Sequence, residues 1–218
     1  MILLSLFLSC FTADYVDDMV EKKSYTEVHK ENKACLKKVV SNSVKILNQD
    51  GSHGSGTIIT NKNKKYVFTA SHVAFGQSAA IQLYGAYYLA GVVYRDPHSD
   101  FLILEILEDI PKKEPIRFKE DKNVELGEDL FFVGNPSNRE SLVSYGSVSG
   151  FPLGVEDRFF YIQSYGWFGS SGSVVFNNKC EIMGVVSAVI VEDDPVLSIH
   201  ENAIVIGRVP KGVKEFLK

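Results

Sequence analysis

Runs of basic residues are missing from this sequence. Its 218 residues carry 23 Lys and Arg against 27 Asp and Glu, a formal net charge of -4. An electrostatic grip on nucleic acid is therefore not expected, nor one on an anionic membrane surface. Cysteine is scarce: only Cys10, Cys35 and Cys180 are present, and no pair has the Cys-x-x-Cys spacing of a zinc or redox site. No metal is expected on that ground. Cys35 and Cys180 are compatible with one disulfide in an oxidising compartment and equally with two unrelated thiols. The apolar start "MILLSLFLS" is too short to span a bilayer as a helix. No internal repeat or low-complexity block is visible.

What is present has the balance of a soluble globular chain, with 45% hydrophobic and 23% charged residues. The length suffices for one large domain or two small ones with sizeable cores. The N-terminal "MILLSLFLSC" reads as the apolar part of a secretory signal, although a positively charged start is missing. Ser9-Cys10 also resembles the end of a bacterial lipoprotein signal, a pattern that Phe7 and Leu8 fit poorly. A stray strand or a misassigned start is the plain alternative. The expectation is a signal over 1–10 and a polar, partly helical tether over 11–35. An exported protein follows, periplasmic or secreted, with a membrane tether or lipid anchor through its N-terminus.

From residue 36 onward, short β-rich segments alternate with turn residues. "VVSNSVKIL" (39–47), "GTIITN" (56–61), "KYVFTA" (65–70), the pair around Gly85 within 79–96 and "FLILEIL" (101–107) form a first group. After a charged link come "LFFVG" (130–134), "LVSYGSVSG" (142–150), "RFFYIQS" (158–164), "SVVFN" (173–177), "EIMGVVSAVI" (181–190) and "NAIVI" (202–206). About a dozen strands at this spacing predict an all-β fold made of two antiparallel β-barrels, one over about 36–115 and one over about 125–207. Only the C-terminal segment near 208–217 has helical spacing, with Val209, Val213, Phe216 and Leu217 on one face. A site is expected in the cleft between the barrels.

Three residues at strand ends carry chemistry in combination. His72 in "TASHV" stands just past one strand, and Asp100 in "HSDFLIL" stands immediately before another. Ser171 lies in "GSSGS", where Gly169 and Gly172 allow backbone N–H groups to converge on one point. Singly, each reads as a surface or turn residue. In the order His, Asp, Ser they supply a base, an acid that orients it and a nucleophile. Asp96 and His98 compete in the same loop, but only Asp100 adjoins the apolar strand that can hold it. His53 and His200 sit among polar residues and read as solvated. Tyr165, Trp167 and Phe168 read either as core aromatics or as pocket lining.

On these residues the chain resembles trypsin-like serine proteases of the bacterial HtrA/DegP type, over about residues 36–218. The matching segments are "GSGTIIT" with "YVFTASHV", "RDPHSDFLILEI", "GEDLFFVGNP", "YGSVSG", "GSSGSVVFN", "EIMGVVSAVI" and "NAIVIGRVPKGVKEFLK". The resemblance implies His72 as general base and acid, Asp100 as its orienter and Ser171 as nucleophile. It implies an oxyanion hole from the N–H groups of Gly169 and Ser171. It places Tyr165 at the pocket floor and Ser187, Ala188 and Val189 on the edge that binds an extended protein or peptide substrate. No cofactor is implied, and no PDZ-like segment is expected after residue 218.

Two departures stand out. Ser173 and Val174 replace the usual Gly-Pro after the nucleophile and its glycine, which predicts strain at Ser173. Ser170 replaces the Asp that pairs with a newly cut N-terminus in activation-dependent relatives. The leading expectation is a serine endopeptidase cutting after small or medium apolar residues. The runner-up is a catalytically weak protease-fold module that grips extended peptides.

Overall fold

The computed structural model of the protein describes residues 33–48, 50–118, 123–136, 139–194 and 199–217. The signal assigned to 1–10 and the tether up to residue 32 lie outside the described residues. Twelve strands pair into two closed six-stranded barrels, every pairing antiparallel. The first contains β1 (Ser43–Leu47), β2 (His53–Asn61), β3 (Lys64–Ala70), β4 (Ser78–Leu83), β5 (Ala86–Asp96) and β6 (Phe101–Ile106). The second contains β7 (Asp129–Gly134), β8 (Leu142–Gly150), β9 (Phe159–Gln163), β10 (Val174–Asn177), β11 (Ile182–Asp194) and β12 (Ile199–Arg208). Their orders around the wall are β1-β2-β3-β6-β5-β4 and β10-β11-β12-β9-β8-β7.

Local sequence sets the hairpins. The β4–β5 turn places Tyr84 and Gly85 at φ 50° and 79° between the paired Leu83 and Ala86. Two positive φ values in a two-residue loop match the twist of the strands they join. Alternation then sorts side chains between two cores. Leu130 and Phe132 of β7 and Val175 of β10 point into the second barrel, while Phe131, Val133, Val174 and Phe176 join the core that fills the first. These strands are apolar at consecutive positions because both of their faces are buried.

The segment 39–47 corrects the expectation of one continuous strand. Residues 33–42 are helical (α1), and only Ser43–Leu47 is strand. Cys35 and Val39, one helical turn apart, are both buried in the first core, and Leu36 and Val40 pack against it. The end of the helix is closed by Asn42, whose Nδ2 donates to the Lys38 carbonyl at 2.8 Å. Tertiary packing thus overrides the β-branched run that suggested a strand. Cys35 is joined to Cys180 in a disulfide, Cα to Cα 5.7 Å, so residues 33–35 belong to the fold rather than to a tether. A short C-terminal helix, α2 (Gly212–Phe216), buries Val213 and sets Phe216 edge-on to Tyr66 at 5.8 Å. Among the described residues no helix is long and apolar enough to cross a membrane.

Candidate active site

The end of β3 and the start of β6 are neighbouring positions of one sheet, since Ala70 pairs with Phe101. That pairing brings the residues just beyond each strand together. Ser71–Val73 form a single 3-10 turn, and Asp100 sits at φ 51°, a left-handed conformation that Asp tolerates better than most residues. Asp100 clasps the turn with three groups. Its carbonyl accepts from the Ser71 N–H at 3.0 Å, its Oδ1 accepts from the His72 N–H at 3.0 Å, and its Oδ2 lies 2.7 Å from His72 Nδ1. None of these bonds uses the other ring nitrogen, Nε2.

Asp100 is mostly enclosed, and His72 stays about half exposed. Burial pushes the Asp100 carboxyl up, but hydrogen bonds from His72 and Ser187 and the charge of His72 outweigh it and hold the group below the usual carboxylate range. The Ser187 hydroxyl donates to Asp100 Oδ2 at 2.5 Å. Ser187 comes from β11 of the second barrel, so the acid is shared across the cleft. This bond was missed in the sequence. The available signal was a single serine inside "VVSAVI", since a lone hydroxyl in an apolar strand requires a partner.

Ser171 lies on the opposite wall. Gly169 and Gly172 hold φ of 95° and 83°, where side chains are strained. A Cβ on Gly172 would collide with Thr69 Oγ1 and the Ser55 carbonyl, so the loop presses its backbone onto β3 and β2. Ser55 braces it: its N–H donates to the Ser171 carbonyl at 2.8 Å and its hydroxyl to the Gly169 carbonyl at 2.6 Å. On the other side the Gly172 N–H donates to the Val186 carbonyl at 2.7 Å. Among the described residues, the N–H groups of Gly169 and Ser171 have no acceptor. Unpaired backbone donors of this kind are the groups from which oxyanion holes are built.

Several expectations change here. Ser173 is not in the left-handed region, and its buried side chain fills the space above Gly134. The strain expected there is absent, because a glycine on β7 makes room for the extra atoms. His53 is not solvated: it is half-buried, with Nε2 3.3 Å from the Asn135 carbonyl and against the Cα side of Gly169. Burial, with the charge of Lys45, holds its pKa below the ordinary histidine value. Tyr165, Trp167 and Phe168 are all exposed, so they are not core aromatics. Asp96 caps its own turn by accepting from the His98 N–H at 2.9 Å. The side chain of His200 lies outside the described residues.

Beyond Val185, β10 no longer pairs with β11, although β12 continues alongside it. Among the described residues the flank of β11 at Ser187, Ala188 and Val189 carries no strand on its β10 side. Ala188 is exposed there, and Val189 Cγ2 lies 3.2 Å from where a Cβ of Gly166 would stand.

The profile of the Trypsin-like peptidase domain family matches residues 54–185, more than half of the chain. The chain belongs to the trypsin-like peptidase family. Relatives of this peptidase domain include the Serine protease Do-like HtrA of Bacillus subtilis, 30% identical over 159 residues, covering 66% of this chain and 35% of that protein. The Periplasmic serine endoprotease DegP of Salmonella typhimurium is 32% identical over 148 residues, covering 64% of this chain and 30% of that protein. The match therefore spans about a third of the length of the curated relatives. A crystal structure of the serine endoprotease from Yersinia pestis shares the fold, with a TM-score of 0.63 at 20% identity, over 84% of this chain and 63% of that chain.

Proposed function

We propose that the protein is a serine endopeptidase that hydrolyses peptide bonds of extended protein substrates. One observation carries the reading: Asp100, paired with His72, also accepts from Ser187 of β11, the residue after Val186, whose carbonyl accepts from Gly172 in the loop of Ser171. Ser171 Oγ attacks the scissile carbonyl carbon and passes its proton to His72 Nε2. The carbonyl oxygen takes the negative charge and is held by the N–H groups of Gly169 and Ser171. His72 then gives the proton to the leaving amine as the C–N bond breaks, and an acyl-enzyme remains. Water repeats the sequence, releasing the acid and restoring Ser171. Asp100 keeps Nδ1 protonated and stabilises the imidazolium throughout.

The substrate strand adds to the open flank of β11 at Ser187–Val189. Val189 and its register partner Ile204 crowd Gly166, and in this reading Val189 narrows the pocket for the residue before the cut. Small or medium apolar residues fit it, and no acid at Tyr165 selects Lys or Arg. The proposed place of action is the cell envelope, as for relatives named periplasmic, and the disulfide suits an oxidising compartment.

A fluorophosphonate probe tests the reading. Rapid labelling at Ser171, lost in Ser171→Ala together with peptide cleavage, is the expected result. A folded wild-type protein that neither labels nor cleaves refutes it, and so does a Ser171→Ala protein that still cleaves.

A further inference from the structure

Residues 71–76, which carry the proposed base, are fixed from several directions. Arg95 Nη1 donates to the Ser71 carbonyl at 2.8 Å, and its Nη2 donates to the carbonyls of Ala74 at 2.9 Å and Gly76 at 3.0 Å. From the β1–β2 loop, Asn48 Nδ2 donates to the Val73 carbonyl at 2.6 Å. Within this clamped segment Phe75 is nevertheless 71% exposed. The phenyl ring stands in water on a loop that has already lost its freedom, so covering it would cost little further ordering.

Phe75 forms one wall of an open cavity of about 720 Å³, whose other walls include Leu47, Ala80 and Leu89, with Asn48 and Asp50 as polar members. Leu89 is itself 49% exposed. The topology relates this cavity to Ser171. On one side, the nucleophile loop bonds to β11 through the Gly172 N–H and the Val186 carbonyl. On the other, it bonds to the start of β2 through the Ser171 carbonyl and the Ser55 N–H, and Gly54 is wedged between Val73 and that carbonyl. His53, just before Gly54, pairs with Leu47, which lines the cavity. An extended chain that lies along Ser187–Val189 and crosses Ser171 therefore continues over His53 and Gly54 towards Phe75.

We infer that this cavity receives an apolar side chain from the first three residues after the scissile bond, which makes Phe75 and Leu89 specificity-determining residues for the departing half of the substrate. The inference rests on the catalytic reading of Ser171 and His72. An aliphatic or aromatic side chain would cover Phe75 and Leu89, whereas Asp50 at the cavity disfavours a second acid there.

Internally quenched peptides with one fixed sequence before the cut, and Gly, Leu, Phe, Asp or Lys at each of the three following positions, test it. At one position kcat/KM for Leu or Phe should exceed that for Gly by about 10–100-fold, and Phe75→Ser should lower that ratio by about tenfold. Leu153→Ser, an exposed apolar residue of the second barrel, should leave the ratio as it is. Phe75→Ser removes an exposed ring, so loss of folding is not expected to cloud the result.

A second measurement needs no cleavage. Fluorescence anisotropy of the departing-half peptides on Ser171→Ala protein should show the same Leu-over-Gly preference, reduced in the double variant with Phe75→Ser. Wild-type protein that labels and cleaves but shows a Leu-to-Gly ratio below about threefold at all three positions overturns the inference while leaving the catalytic reading in place. A ratio that survives Phe75→Ser overturns it as well. So does a dimer, seen by sedimentation, that Phe75→Ser dissociates while the ratio stays unchanged. Absence of labelling and cleavage refutes the catalytic reading instead, and the anisotropy ratio then decides on the cavity alone.

Discussion

The two barrels contribute to the site in different chemical currencies. The first supplies side chains: His72 and Asp100, held by β3, β6 and the guanidinium of Arg95. Besides the Ser171 hydroxyl, the second supplies mostly backbone to the proposed site: the N–H groups of a loop shaped by Gly169 and Gly172. Side-chain sites tolerate change in the surrounding chain as long as the strand ends stay adjacent. A backbone site has no spare atoms, and its demands fall on residues that do no chemistry, such as Ser55, Thr69 and Gly134.

Variants that exchange these dependences separate the two halves. The largest effect is expected from Asp100→Asn, which leaves the imidazole in the wrong tautomer and should lower kcat by roughly 10⁴-fold with the fold retained. Steady-state kinetics beside circular dichroism read this out. Gly172→Ala should instead act on stability. It places a Cβ where Thr69 and Ser55 stand, at a positive φ, at a cost on the order of 3 kcal/mol measured by urea unfolding.

Ser187→Ala joins the two cases, because among the described residues it removes the second barrel's only bond to the acid. The loss of one hydrogen bond to a charged group should lower kcat/KM by roughly 10–100-fold. It also has a pH signature. The Asp100 carboxyl is depressed in the folded protein, so its contribution to stability is present above the ordinary carboxylate range and is lost as pH falls through the folded value. Without the Ser187 donor the folded value moves up towards the ordinary one, so that loss should be smaller and should be complete at a higher pH, which acid titration of the unfolding midpoint will detect.

His53 behaves in the opposite chemical sense. Its folded pKa is depressed, so the folded state disfavours the protonated ring. Stability should be full above the pKa of an unfolded histidine and decline as pH falls below it. His53→Leu should flatten that part of the profile, measured as the urea midpoint between about pH 8 and pH 5. The smallest effect belongs to Ser173→Ala. The Ser173 hydroxyl is buried without a hydrogen-bond partner among the described residues. Its removal should leave stability unchanged or raise it by about 1 kcal/mol in the same unfolding assay.

The same division explains what could be read in the sequence. Strand alternation and turn residues made the two barrels legible, and the candidates His72, Asp100 and Ser171 could be picked out because they stand near the ends of apolar strands. The roles of Ser187, Arg95 and Ser55 were not legible, since they act on Asp100, Ser71 and Gly169, 87, 24 and 114 positions away, and nothing local announces them. α1 was hidden for a related reason: its β-branched residues suit a strand locally, and only packing against the first core and the bond to Cys180 favour a helix. His53 looked solvated among Ser, Asp and Gly until the second barrel was laid over it.

The bond between Cys35 and Cys180, 145 positions apart, encloses all of the first barrel and the chain of the second as far as the turn after β10. The enclosed stretch includes the charged segment between the barrels and both sides of the cleft. For a protein proposed to cut polypeptides this bears on its own wear. A single nick anywhere inside the ring opens it without producing two molecules, so the severed ends stay at high effective concentration and the halves remain registered. Damaged copies would migrate as intact protein until a reductant is added, and would fall into two fragments only then.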